Sequence, residues 1–272
     1  MKERKENMNH LLPILKEMFS VAKLDRVTEP MIMSDTYQTQ QYYEYGLGDT
    51  TLRAAYLLHA KQASQTIHHC LRVLDLGTGP ANQLLLIAQF NPNVQFVGVD
   101  LSENMIALAK MNCSDLGLKN VSFIQDDITK LSKLEDHSFD GVISSVALHH
   151  LHSKTDLEAT FKNIQRVLTK NGSVYITDFL LVKNPHTIDY LVSLNVNQPE
   201  LFKLDYENSL RACFKESDFI RLRDKYLPHV DVCTTFGAKF LMIMKTKPSS
   251  RNKSIETEIN KQVEEIKEIV ES

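Results

Sequence analysis

The 272-residue chain contains no tryptophan and no CxxC pair. Its four cysteines, Cys70, Cys113, Cys213 and Cys233, stand far apart. That spacing indicates neither a disulfide scaffold nor a thiolate zinc site, and reduced thiols are expected. Basic residues are not in excess. A formal net charge of −3 argues against a general nucleic-acid binder, which carries a basic face. No stretch approaches the roughly 18–20 apolar residues of a membrane span. The amino-terminal MKERKENMNHLLPILKEMF is too charged for a secretory signal. These absences lead us to expect a soluble, cytoplasmic protein. With 43% hydrophobic and 24% charged residues the composition is ordinarily globular, and the length suits one large α/β domain or two small ones.

From residue 71 onward, short apolar runs alternate with helical patterns. LRVLDLG (71–77), VQFVGVD (94–100), VSFIQDD (121–127), FDGVISSVAL (139–148) and SVYITDFLLV (173–182) read as strands. Helices are predicted over 81–90, 102–117 and 156–168, with KNG (170–172) as a turn before the fifth strand. Strands with little polar alternation, separated by helices, predict a parallel sheet covered on both faces. Residues 183–214 interrupt the rhythm with two prolines and mixed helical pieces. A helix over 217–227 and an edge hairpin over 230–247 follow. In the tail, 248–272, Ile255, Ile259, Val263, Ile266 and Val270 form a narrow apolar stripe. It fits docking on the domain or a short coiled-coil contact, as in a homodimer, and two heptads do not choose between them.

The strongest chemical signal is LDLGTGPAN (74–82), between a strand and a helix. Glycines there let the backbone turn tightly and come close to a ligand. Asp100 ends the next strand, 21 residues after Gly79, a placement suited to an acid that binds a ribose diol. A dinucleotide fold would require G-x-G-x-x-G/A. The sixth position here is Asn82, and Asp75 lies two residues before Gly77, where it would repel a diphosphate. A ligand carrying an ammonium group and no phosphate fits better, and S-adenosylmethionine is such a ligand.

With these motifs the sequence resembles the class I S-adenosylmethionine-dependent methyltransferases. More narrowly, it is similar to the small-molecule group that includes the ubiquinone and menaquinone biosynthesis enzymes. VLDLGTGPA, VGVDLSENMIALAK (97–110), VSFIQDDITKL (121–131), FDGVISSVALHHL (139–151) and RVLTKNGSVYITDF (166–179) follow the family's order of motifs. The resemblance covers about residues 70–182 and continues more loosely to about 246. It implies a Rossmann-like, seven-stranded, mostly parallel sheet with an antiparallel edge hairpin and helices on both faces. Residues 71–247 would form the cofactor-binding domain, residues 1–70 an amino-terminal helical lid, 183–214 a cap insertion and 248–272 a helical tail.

The family's roles carry over residue by residue. Gly77, Thr78 and Gly79 would pass the methionine portion of the cofactor, with Asp75 toward its ammonium. Asp100 would take the ribose, and Leu101 and Met105 would pack near the adenine. Asp127, or Asp126 beside it, would meet the adenine amino group, aided by the Ile128 backbone. Ser144 and Ser145, ending the fourth strand, would floor the place where methyl meets acceptor. His149 and His150 would shape the acceptor pocket or serve as a base. HHLH also looks like a metal cluster, but adjacent residues point in different directions and no matching carboxylate is evident, so no metal is expected. The reaction would be transfer of a methyl group to a small or medium, partly hydrophobic acceptor, leaving S-adenosylhomocysteine. Tyr190, Phe202 and Tyr206 of the insertion would contact that acceptor. So would Tyr37, Tyr42, Tyr43 and Tyr45, clustered within nine positions, as part of the lid. The competing readings are a non-catalytic cofactor-binding module, a nicotinamide-dependent oxidoreductase and a methyltransferase acting on protein or RNA.

Overall fold

The computed structural model describes residues 12–21, 24–29, 50–196, 198–248 and 253–271. Tyr37, Tyr42, Tyr43 and Tyr45 lie outside them. Helix α1 spans 12–19. It is followed by α2 (Thr50–Ile67), β1 (Arg72–Leu76), α3 (Asn82–Phe90), β2 (Gln95–Asp100), α4 (Glu103–Asp115), β3 (Val121–Gln125) and β4 (Phe139–Ser145). A 3-10 turn (Leu148–His150) then leads to α5 (Lys154–Val167), β5 (Leu168–Phe179), α6 (Pro185–Ser193), α7 (Glu200–Ala212) and α8 (Glu216–Tyr226). The hairpin β6 (Asp231–Thr234) and β7 (Leu241–Lys245) precedes α9 (Lys253–Glu271).

The seven strands form one sheet in the order β3-β2-β1-β4-β5-β7-β6. All neighbours are parallel except β7, which runs antiparallel to β5 and β6. This is the expected Rossmann-like sheet with an antiparallel edge. Both faces are covered, which explains the weak alternation of the strands. Leu74, Val97, Val142 and Ile176 pack with Phe161 and Ile164 of α5 and Phe219 and Leu222 of α8. Their neighbours Val73, Phe96, Ile143 and Tyr175 point the other way, toward Ala63 of α2, Leu84 of α3 and Ala109 of α4. The one polar atom of Tyr175 is satisfied, since its hydroxyl lies 2.7 Å from His59 Nδ1.

Three boundaries depart from the sequence reading, each for a local reason. Helix α5 begins before Asp156 because Ser153 is its N-cap. The Ser153 hydroxyl accepts from Asp156 N–H, and Asp156 accepts from Ser153 N–H in return. Strand β4 stops at Ser145 because Val146 takes a positive φ of 52°. The KNG turn is absorbed into β5 as an irregularity. Leu168 pairs with Phe139 and Ser173 with Gly141, while Asn171 between them has φ 58°.

The insertion builds its own small core. Val182, Ile188, Leu191 and Leu210 are buried with Tyr190, Tyr206 and Phe179 against them. Tyr190 and Tyr206 thus contribute to packing. Tyr206 meets Phe179 edge-on at 5.5 Å and Phe202 in a stack at 6.4 Å. Glu17 of α1 fastens this insertion. One of its oxygens accepts from Lys183 N–H (2.7 Å), the other from Asn184 N–H (3.0 Å) and the Thr187 hydroxyl (2.8 Å). A buried carboxylate at the start of α6 also meets the positive end of the helix dipole. Glu17→Gln replaces one accepting oxygen by an NH2 donor that faces the N–H of Lys183 or of Asn184. The expected cost is about 1.5–3 kcal/mol, read as a lower urea midpoint with earlier proteolytic cleavage in 183–214.

In the tail helix, Ile255 and Ile259 are buried against Leu57 of α2, with Leu86 and Phe90 of α3 beside them. Lys61 ties the same surface to Asn260 (3.2 Å) and Glu256 (3.4 Å). The described part of the stripe docks on the domain.

Candidate functional site

The strand order reverses between β1 and β4, and ligands of open α/β sheets bind in the crevice at such a point, beyond the strands' carboxyl ends. Asp75, Asp100, Ser144 and Ser145 lie at or beside the ends of β1, β2 and β4, and Asp126 and Asp127 follow β3. The fold therefore gathers the acids named from sequence along one rim.

The β1–α3 loop is built on close approach. Gly77 has φ 68°, and a Cβ there would lie 2.5 Å from Ala147 Cβ, so only glycine lets this loop reach the chain after β4. Gly79, φ 53°, faces open space, with no heavy atom within 4 Å of where a Cβ would be. The loop's N–H groups point inward. Gly77 and Thr78 donate to Val99 O at 2.8 and 2.9 Å, Gly79 donates to Asp100 Oδ2 at 2.9 Å, and Ala81 donates to Thr78 O. Pro80 has no N–H to offer.

Asp75 is buried and pairs with no cation among the described residues. Burial pushes its carboxyl up to about 7. Burial also raises Asp100, whose oxygens accept from Gly79 N–H and Ser102 N–H, with Leu101 N–H acting on the same carboxylate. Ser102 caps α4 by accepting from Met105 N–H, and Met105 is buried on that helix.

The two acids after β3 differ in their commitments. Asp126 is buried, and its oxygens hold the loop through Asp127 N–H, the Ser132 hydroxyl and Lys133 N–H. Asp127 sits nearer the surface, with Thr129 and Lys130 as partners. Burial would raise Asp127, but Lys130 and Thr129 outweigh it and hold the carboxyl below its usual range. Ile128 packs against the main core. Ser144 is fully buried and donates to Leu76 O at 2.9 Å, binding β4 to the glycine loop.

Beyond β4 the backbone is strained. A β-branched residue at positive φ, Val146, costs on the order of 1–3 kcal/mol and persists only where its surroundings fix it. Val146 N–H donates to Thr177 O, and Asp178 Oδ2 accepts from Leu148 N–H (2.7 Å) and His149 N–H (3.2 Å). The other Asp178 oxygen lies 2.7 Å from His149 Nδ1. Burial disfavours a charged His149, but Asp178 outweighs it and holds the ring above its ordinary range. His149 Nε2 is buried and has no hydrogen-bond partner. His150 is driven well below its usual range by burial, by His149 and by Arg26.

Three participants were not singled out in the sequence reading. Asp178 had a signal, an acid in the β-rich run ITDF. Arg26 and Glu29 had none, because they come from the amino-terminal segment, about 120 residues from the turn they meet. The Arg26 guanidinium donates to the carbonyls of Ala212, His149, Leu151 and His152 and lies 3.9 Å over the Phe214 ring. A Glu29 oxygen approaches His150 Nδ1 at 3.7 Å.

Comparison with known proteins agrees with this geometry. A family described as "Methyltransferase domain" matches residues 67–223. An uncharacterized methyltransferase, YcgJ, of Bacillus subtilis is 30% identical over 125 residues, which cover 46% of this chain and 47% of that protein. The matched part of the chain spans less than half the length of the curated relatives. Among solved structures, a putative S-adenosylmethionine-dependent methyltransferase from Methanococcus maripaludis superposes with TM-score 0.57 at 17% identity, covering 84% of this chain and 99% of that one. The plantazolicin methyltransferase BpumL, solved with S-adenosylhomocysteine, gives TM-score 0.57 at 16% identity, covering 90% and 99%. The chain belongs to the methyltransferase-domain family and has the class I S-adenosylmethionine-dependent methyltransferase fold.

Proposed function

We propose that the protein transfers the methyl group of S-adenosylmethionine to a small or medium, partly hydrophobic acceptor by in-line displacement. The observation that carries this reading is Asp75, a buried carboxylate without a cation, two residues before the glycine loop that opens at Gly79. An unpaired buried carboxylate is costly, and the cofactor's ammonium is the partner that relieves it. The inward-pointing N–H groups of residues 77–81 favour the same choice, since a pyrophosphate would find no donors there.

In this reading Asp100 binds the ribose diol, and Leu101 and Met105 flank the adenine. Of the two acids after β3, Asp127 meets the adenine amino group, because it sits nearer the surface while Asp126 is buried within its own loop. When bound, S-adenosylmethionine supplies a methyl already activated by its sulfonium. The chain's task is to align and to exclude water. Ser144, Ser145 and Val146 form the floor beneath the reacting atoms. His149 and His150 wall the acceptor side, two residues beyond the Ala147 that touches the glycine loop. Helices α6 and α7 contribute the apolar cover, with Phe202 and Tyr206 on it.

Calorimetry tests the reading directly. Folded protein should bind S-adenosylmethionine and S-adenosylhomocysteine but not NAD. Asp100→Asn, which keeps the shape and loses the charge, should weaken binding by about 10- to 100-fold, the value of a charge-assisted hydrogen bond. A folded protein that ignores both sulfur ligands sinks the proposal. Binding with no methyl transfer to any of a broad panel of radiolabelled-donor assays would favour the non-catalytic module instead.

A further inference from the structure

We propose that Glu29, His149 and His150 form a binding site for a divalent first-row transition-metal ion on the acceptor side of the cofactor loop. One ligand-type atom from each of the three residues lies within 4.8 Å of the other two. Two histidines and a carboxylate are a donor set such ions accept, with positions left open for water or substrate. The expectation that adjacent histidines diverge fails here. The 3-10 turn and the pull of Asp178 bring the two rings to 4.1 Å between centroids. The missing carboxylate arrives from Glu29, far away in sequence.

Independent observations point to a ligand. His149 Nε2 and Glu29 Oε1 are both buried with no hydrogen-bond partner, and such groups in a folded protein call for an explanation. His149 is 1% exposed, and the Glu29 side chain 9%. Behind His149 stands Asp178, whose oxygen lies 2.7 Å from Nδ1. That carboxylate–imidazole pairing fixes the ring with Nε2 turned to the site, the arrangement that orients metal-bound histidines.

The purpose of the ion rests on the methyl-transfer reading, although its binding does not. Next to the Val146–Ala147 segment, the ion's open positions suit a hydroxyl-bearing acceptor. The acceptor oxygen would bond the methyl carbon as the carbon–sulfur bond breaks, the electron pair leaving on sulfur. The hydroxyl proton, made acidic by the ion, would pass to water.

The test is titration of chelator-treated full-length protein with Co²⁺, followed by visible absorption and calorimetry. Wild type should take up one equivalent and develop ligand-field bands. His150→Ala and Glu29→Gln should lower Co²⁺ affinity more than tenfold, and Asp178→Asn, which touches no ion, by about 10- to 100-fold. His150 is the safest replacement for folding, since its side chain is 35% exposed. Absence of saturable uptake by wild type, or equal uptake by folded His150→Ala, overturns the site. S-adenosylmethionine calorimetry on the same samples separates the two proposals. Cofactor binding without Co²⁺ uptake removes only the metal site, and Co²⁺ uptake without cofactor binding removes only the methyl-transfer reading.

Discussion

Asp75→Asn is expected to abolish most of the affinity for S-adenosylmethionine and nearly all of its dependence on acid pH. In wild type the carboxyl titrates at about 7 in the folded protein, raised by burial, against an ordinary value of 3.8. Only the ionised form can pair with an ammonium. Below pH 7 each binding event must therefore release a proton, and affinity should fall about tenfold per pH unit, reaching about 100-fold at pH 5. Above about pH 8 the cofactor's own α-amino group loses its proton, which brings affinity down again. The variant lacks the acid limb and keeps the alkaline one. At pH 7.5 the loss of a buried charge partner should cost about 2–4 kcal/mol, roughly 30- to 1000-fold.

The same carboxyl has the opposite effect on the protein without cofactor. Because its folded pKa is raised, the native state holds a proton that the unfolded chain has already released between about pH 4 and 7. Stability of the cofactor-free protein should therefore decline as pH rises through that window and level off above it. Asp75→Asn should remove the decline and melt higher than wild type at pH 8. Calorimetric titrations and melting curves from pH 5 to 9 measure both effects. A wild-type affinity flat from pH 5 to 7 would show that Asp75 does not meet the ammonium.

The second large effect is expected at Arg26, far from any motif. Its guanidinium holds four carbonyls, those of Ala212, His149, Leu151 and His152, and covers Phe214. It fastens the amino-terminal segment, the turn carrying the histidines and the end of α7 to one another. Arg26→Ala leaves those carbonyls without their charged donor and should destabilise the fold by about 3 kcal/mol. Arg26→Lys should recover less than half, because an ammonium cannot reproduce a planar fork with several fixed donors. Urea unfolding gives the energies. Binding supplies the finer test: cofactor affinity should change less than acceptor turnover, since Arg26 touches the turn at 149–152 and not the glycine loop.

The parts of this protein that were legible in the sequence are those in which near neighbours along the chain do the work. The continuous apolar runs of β1, β2, β4 and β5 announced a sheet buried on both faces, and Phe96 with Val97, or Val142 with Ile143, do point to opposite cores. Asp75, Gly77, Gly79 and Asp100 were recognisable because a strand end, a tight turn and the next strand end recur at a fixed spacing whenever this loop is built. The boundaries misread were those set by single hydrogen bonds, such as the Ser153 cap, or by one unusual φ, as at Val146.

The sequence by itself determined the fold class, the order of elements and the rim of acids at the strand ends, because continuous apolar runs, period-3.6 burial and glycine turns are local constraints. Tertiary structure alone decided what surrounds the turn after β4. Arg26 and Glu29 reach the histidine turn across more than 100 residues, Asp178 reaches it from the neighbouring strand, and Glu17 fastens the insertion from the amino-terminal helix. No periodicity records such meetings. They follow from which strands the sheet sets side by side, and from the need of buried carboxylates, imidazoles and carbonyls to find partners once water has been excluded.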